Sequence, residues 1–239
     1  VVNSIYRKYG YKPAKITINS HVPKNLGSSS SVASALALAL TKYLGIDTSP
    51  AETVQFANEG DQIAHGQASG IDAYTTTYGY WNTYQKSKGA RRLGIDFNFP
   101  LIVISSGKPT ATDKTVLKIA KLKEKHPEKV DAILDRLDDI ALDGLLAIKS
   151  QDMERIGRLM IEYYETLKRL GISTKELDEI VEIAIHNGAL GVKPTGGWGG
   201  GCCIALPAKG QVDKLLNAYR KAGYDAYRIN MGTKGAEGI

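Results

Sequence analysis

The sequence predicts an α+β fold, helical through its middle and strand-rich towards its end. Three observations carry that expectation. Apolar residues recur at helical spacing over several segments between positions 32 and 187. Capping signals open two of those segments. After a glycine-rich turn near residue 197, the chain compresses a strand, a helix and a strand into a short stretch.

The elements follow in order. Val1-Val2-Asn3-Ser4-Ile5-Tyr6 reads as the interior of a helix, so further residues are expected before it. Residues 15–20 alternate Ile16 and Ile18 with polar neighbours, as a half-buried strand does. A loop over 23–31 leads to a helix whose apolar positions 32, 35, 36, 39, 40, 43 and 44 share one face, closed by Gly45. Ser49-Pro50-Ala51-Glu52 is a capping box with proline at the first helical position, predicting a helix over 50–63. The run around Leu101 reads as a buried strand ending in a Gly107-Lys108-Pro109 turn. Helical patterns then cover 113–123, 128–148, 153–170 and 174–187, the last opened by Ser173 with Glu176 three residues on. The end holds a strand at 202–206, a helix at 212–222 and a strand at 225–230. A domain boundary is placed near Phe99, giving domains 1–98 and 99–239.

Composition narrows the class. A hydrophobic fraction of 43% and a charged fraction of 23% describe an ordinary globular protein. No apolar run reaches the ~18 residues of a membrane span and no leader pattern opens the chain, so the default expectation is cytoplasmic. Cys202 and Cys203 are adjacent, which offers neither a disulfide framework nor metal-ligand spacing. The net charge of +6 suits an anionic substrate. The lysines at 118, 121, 123 and 125 read as a solvated helix face, not a nucleic-acid surface.

Four constellations carry chemistry. Leu26-Gly27-Ser28-Ser29-Ser30-Ser31 enters a helix, where unpaired N–H groups and the positive dipole end suit a phosphate; four serines also suit plain capping. Glu59-Gly60-Asp61 puts acids near a helix C-terminus, against the dipole. That breach fits a carboxylate kept for Mg²⁺, and equally an idle exposed acid. His65-Gly66-Gln67-Ala68-Ser69-Gly70-Ile71-Asp72, with Thr75 to Thr77 and Tyr78-Gly79 behind it, presents an acid beside close-approaching backbone. Asp72 fits a proton acceptor or a helix cap. Lys193-Pro194-Thr195-Gly196-Gly197-Trp198-Gly199-Gly200-Gly201-Cys202 places five glycines within residues 195–201, an entropic cost better explained by backbone against a ligand than by a connector.

In this order and at these separations the motifs resemble the GHMP kinases. Leu26-Gly27-Ser28-Ser29 is similar to the end of that family's phosphate-binding loop. His65-Gly66 through Ser69-Gly70-Ile71-Asp72, followed by Thr77-Tyr78-Gly79, resembles the segment that marks the mevalonate kinase branch. Lys193 to Cys202 resembles the family's third, glycine-rich motif. The resemblance implies a two-lobed fold, with an N-terminal lobe like domain 2 of ribosomal protein S5 and a ferredoxin-like C-terminal lobe. It further implies ATP and Mg²⁺, the 5-hydroxyl of mevalonate as acceptor, no nucleic-acid or membrane partner, and room for a homodimer.

By position, the resemblance assigns Asp72 to acid-base or orienting catalysis. Leu26, Gly27, Ser28, Ser29, Ser30, Gly197 and Gly199 fall to the nucleotide, and Ser29 and Asp61 to the metal. Ser69, Gly70, Thr112, Thr195 and Gly196 fall to the substrate, and His65 to a structural hydrogen bond. Asp61 stands where the family has Glu, Trp198 where it has Gly, and the loop before Leu26 is about two residues short. The family's N-terminal motif and the lysine expected beside Asp72 have no counterpart, so a leading segment is expected to be missing from this sequence. A kinase for a related acid or sugar, or a non-catalytic ligand-binding relative, are the alternatives.

Overall fold

The structure, a computed structural model, describes residues 1–22, 26–65, 69–85, 87–108, 112–196 and 201–237. It divides into two compact units, one of Val1–Asp96 with Gly232–Ile239 and one of Phe97–Met231.

The first unit contains α1 (Val2–Tyr9), α2 (Ser28–Tyr43), α3 (Pro50–His65), α4 (Ile71–Tyr78) and a hairpin of β1 (Asn82–Gln85) and β2 (Gly89–Arg92). Ile5 of α1 buries against Ala37, Leu40 and Phe56. Ala33, Ala57 and Ala73 form a second cluster, and their small side chains let α2, α3 and α4 approach closely. The cap read at Ser49 is present, its Oγ accepting from the Glu52 N–H at 3.2 Å. The Glu52 carboxylate accepts from Lys8 Nζ at 2.5 Å and from the Tyr9 hydroxyl, which ties α3 to α1.

Three readings of this unit change. Gly27 takes a left-handed conformation at φ 66° and caps α2, so the helix starts at Ser28 and the four serines form its first turn. Residues 15–20 form no strand. Their alternation promises a half-buried face, but no described segment pairs with them, and Ile16 and Ile18 stand 41% and 56% exposed. The helix α4 was not legible because Thr75, Thr76 and Thr77 have weak helix propensity. Tertiary bonds override it: Thr76 and Thr77 Oγ1 lie 2.8 and 3.1 Å from Ser34 Oγ.

The second unit runs β3 (Pro100–Ser105), α5 (Thr112–Lys125), α6 (Pro127–Lys149), α7 (Met153–Lys168), α8 (Lys175–His186), β4 (Ala189–Thr195), β5 (Cys202–Pro207), α9 (Val212–Lys221) and β6 (Ala226–Asn230). Its four-stranded sheet has the order β4-β5-β3-β6, antiparallel throughout. Counting strands within the unit, that order is 2-3-1-4 with helices in the first and third connections, the ferredoxin-like arrangement. Ile102, Ile104, Val192, Cys203 and Ala205 of the sheet bury against Tyr164 of α7, Leu177 and Ile180 of α8, and Leu215 and Tyr219 of α9. A second core joins α5, α6 and α7 through Val130, Ile133, Leu137 and Leu167.

The strand β4 escaped the sequence reading because Gly191 and Pro194 are poor strand residues. It lies at the sheet edge, where a proline lacking an N–H is tolerated. The cap of α8 is Thr174, one residue later than read, its Oγ1 accepting from the Leu177 N–H at 3.3 Å. Ser173 instead bonds the Tyr164 hydroxyl at 2.6 Å and donates to Asp178 at 3.1 Å.

Helix α7 meets β4 backbone to backbone. A Cβ on Gly157 would stand 2.3 Å from the Leu190 carbonyl oxygen, and one on Gly191 2.2 Å from the Gly157 oxygen. Gly157→Ala is therefore expected to destabilise by about 1–3 kcal/mol, as overpacking does. In thermal unfolding that corresponds to a fall in Tm of roughly 2–12 °C for a chain of this size; an unchanged Tm would show the contact to be looser.

Candidate active site

The first unit gathers Ser29, Ser30 and Asp61 into one polar cluster. Ser29 Oγ donates to Asp61 Oδ1 at 2.7 Å, and the buried Ser30 hydroxyl donates to Asp61 Oδ2. Asp61 is 5% exposed, so its charge needs these partners. The arrangement also accounts for the breach noted in the sequence. Asp61 sits near the unfavourable C-terminal end of α3, but its carboxylate is turned to the N-terminal turn of α2, where the dipole favours an anion. Helix α2 has no side-chain cap, since Gly27 carries none, and Ser31 Oγ turns back to the Ser28 carbonyl at 3.0 Å. A helix start of this kind presents backbone N–H groups and the positive dipole end, the features that suit an anion.

Asp72 lies exposed in the first turn of α4, which Gly70 caps in a left-handed conformation at φ 86°. Four residues on, along the same helix face, Thr76 Oγ1 lies 3.3 Å from the Ser30 carbonyl oxygen and 2.8 Å from Ser34 Oγ. Asp72 is therefore carried on the face of α4 whose next turn touches the start of α2. Ser69 is held from the hairpin, its carbonyl accepting from the Tyr84 hydroxyl at 2.7 Å, and its own Oγ lies 3.4 Å from the Ile71 N–H. Ser34 and Tyr84 were missed in the sequence, and Thr76 was named there only as part of a threonine run. Hydroxyls that bond across helices leave no periodic signature.

The remaining candidates belong to the second unit. Thr195 ends β4, Gly196 follows it at φ 81°, and Thr112 opens α5 with its side chain outside the described residues. Gly197, Trp198 and Gly199, like the side chain of His65, also lie outside them. Lys193 Nζ lies 4.4 Å from the Tyr163 ring centroid and donates to the Pro194 carbonyl at 3.2 Å. The residue is half-buried, yet desolvation of its ammonium end pushes its pKa down to about 8.

The donor set in the first unit suits a hard cation. Asp61 and Ser29 supply oxygens only, the donor type a hard cation takes. Among the described residues no group of three His, Cys, Asp or Glu side chains converges. Mg²⁺ commonly takes one or two carboxylates and fills its shell with phosphate oxygens and water.

Comparison with known proteins supplies the family context. The family model described as the GHMP kinases N terminal domain matches residues 1–80, and that for the GHMP kinases C terminal matches 145–225. A mevalonate kinase of Pyrococcus furiosus is 34% identical over 216 residues, covering 87% of this chain and 64% of that protein. One from Aeropyrum pernix is 31% identical, covering 96% of this chain and 72% of the relative. The chain thus spans about two thirds of the length of the relatives it matches. A crystal structure of L. major mevalonate kinase in complex with R-mevalonate superposes with a TM-score of 0.83 at 26% identity, covering 88% of this chain and 67% of that one. That of Methanococcus jannaschii mevalonate kinase gives 0.78 at 28% identity, with 90% and 67% covered.

Proposed function

The chain belongs to the GHMP kinase family, and from that premise we propose that the protein phosphorylates the 5-hydroxyl of mevalonate with ATP. The observation that carries the proposal is the joining of Asp61, the serine turn of α2 and the Asp72 helix by direct hydrogen bonds within one unit. Relatives named mevalonate kinase, matched over most of this chain, support the choice of acceptor.

In this reading the segment from Leu26 to Ser30, which enters α2, offers backbone N–H groups to the phosphates of ATP. Ser29 and Asp61 are the residues that would hold Mg²⁺; when bound, the ion neutralises charge on the β- and γ-phosphates. Asp72 orients the acceptor hydroxyl and accepts its proton as the oxygen attacks. Ser69 and Gly70 bind the substrate beside it. For the second unit the proposal keeps Thr112, Thr195 and Gly196 with the substrate, and Gly197 and Gly199 with the nucleotide. Positioning and electrostatics account for most of the rate in phosphoryl transfer, so the fixed helix termini matter more than any single proton transfer.

Among the described residues no helix is long and apolar enough to cross a membrane. The proposal places the reaction in the cytoplasm and admits a homodimer, which light scattering on the purified protein reads directly. The decisive test is ADP release by the full-length protein with a panel of alcohols. Mevalonate is expected to be turned over with a kcat/KM at least about tenfold above related acids, galactose and homoserine, a margin of ~1.4 kcal/mol. Preference for another acceptor would move the protein elsewhere in the family. ATP binding without ADP release from any alcohol would make it a ligand-binding relative.

A further inference from the structure

After β6 the chain returns to the first unit, and residues 232–237 lie across the end of α4. Tyr80 N–H donates to the Thr233 carbonyl at 2.6 Å, and Ala236 N–H donates to the Thr76 carbonyl at 2.9 Å. Gly79 and Lys234 form an antiparallel bridge between these two bonds. The approach is too close for side chains. A Cβ on Gly79 would stand 2.1 Å from the Gly235 nitrogen, and one on Gly235 2.1 Å from the Thr77 carbonyl oxygen.

We propose that this strap is a positioning element for Asp72, with Gly235 as the residue that allows it to seat; the proposal rests on the catalytic reading of Asp72 given above. A two-turn helix is marginal by itself, and α4 has only 8 residues, three of them threonine. Its terminal carbonyls need partners that the helix cannot supply. The Gly79 N–H satisfies Thr75, and the strap satisfies Thr76. Thr76 is thereby held twice, by its hydroxyl to α2 and by its carbonyl to the strap. Asp72 lies one turn back on the same face, so a tilt at Thr76 displaces its carboxylate. Misplacement by an ångström is enough to lower a phosphoryl-transfer rate strongly.

Gly235 is the clean probe, because its φ is not in the left-handed region and alanine fits its backbone. The added methyl is opposed by the backbone of α4's end, the Thr77 carbonyl oxygen at 2.1 Å and the Gly79 nitrogen at 2.6 Å. In the full-length protein, Gly235→Ala is expected to lower kcat for ADP release about 10- to 100-fold while the KM for ATP stays within about twofold. Lys234→Ala, which removes an exposed side chain paired with Glu237 at 3.3 Å, is expected to leave both unchanged. Hydrogen exchange supplies the second readout: amides of residues 75–78 are expected to exchange faster in Gly235→Ala than in Lys234→Ala. Wild-type kcat in Gly235→Ala, or a lowered kcat with unaltered exchange in α4, overturns the proposal. Should Gly235→Ala not accumulate as folded protein, Ala236→Pro removes one bond and is judged by the same two measurements. If the wild type turns over no alcohol, the catalytic reading of Asp72 fails; the exchange comparison still decides whether the strap seats α4.

Discussion

Asp72→Asn is expected to lower kcat by about 10²- to 10⁴-fold and to leave the KM for ATP within about threefold. The substitution keeps the shape of the side chain and removes only its charge and its capacity to take the hydroxyl proton. Asp72 is exposed in the first turn of α4, where its charge also gains a favourable dipole contact of roughly 0.3–1 kcal/mol, so Tm is measured alongside turnover. A loss of turnover therefore cannot be ascribed to unfolding when Tm stays near that of the wild type. Rapid mixing with single-turnover detection would place the defect on the chemical step. An Asn variant with wild-type kcat would remove Asp72 from the mechanism.

The second large effect concerns Asp61. Asp61→Ala takes the acceptor away from Ser29 and from the buried Ser30 hydroxyl, an unsatisfied burial costing about 1–3 kcal/mol. Stability should fall, and activity should also demand much more Mg²⁺, because the remaining oxygen donors at the α2 turn are neutral. Asp61→Glu restores the carboxylate with one more methylene. It is expected to recover most of the activity at high Mg²⁺, as the kinase resemblance, in which Glu stands at this position, implies. Activity titrated against Mg²⁺ separates the two roles: a purely structural Asp61 would lower Tm in the Ala variant without moving the Mg²⁺ midpoint.

Much of the candidate site was visible in the sequence because its signals are local. Serines before an apolar helix, an acid near a helix C-terminus and an acid after Ser69-Gly70 each break or decorate a rule that operates within one turn of chain. What joins them was not visible. The bond from Ser29 to Asp61 spans 32 positions and that from Thr76 to Ser30 spans 46. No propensity or periodicity encodes a hydroxyl's partner at that distance. The same reason explains the fold-level errors. Residues 15–20 alternate as a strand does yet pair with nothing described, whereas Ala189–Thr195 carries Gly191 and Pro194 and is a strand because β5 lies beside it.

The sequence by itself determined the helices of the second unit, the capped start of α3 and the residue types that could meet a phosphate. Those depend on spacing and capping, which act over a few residues. Only the tertiary structure decided that the Asp61 carboxylate faces the dipole end of α2, that α4 exists despite its threonines, and that the chain returns after β6 to meet Gly79 backbone to backbone. Each of these is a contact between segments distant in sequence, and its energy comes from packing and hydrogen bonds available only once the segments have met.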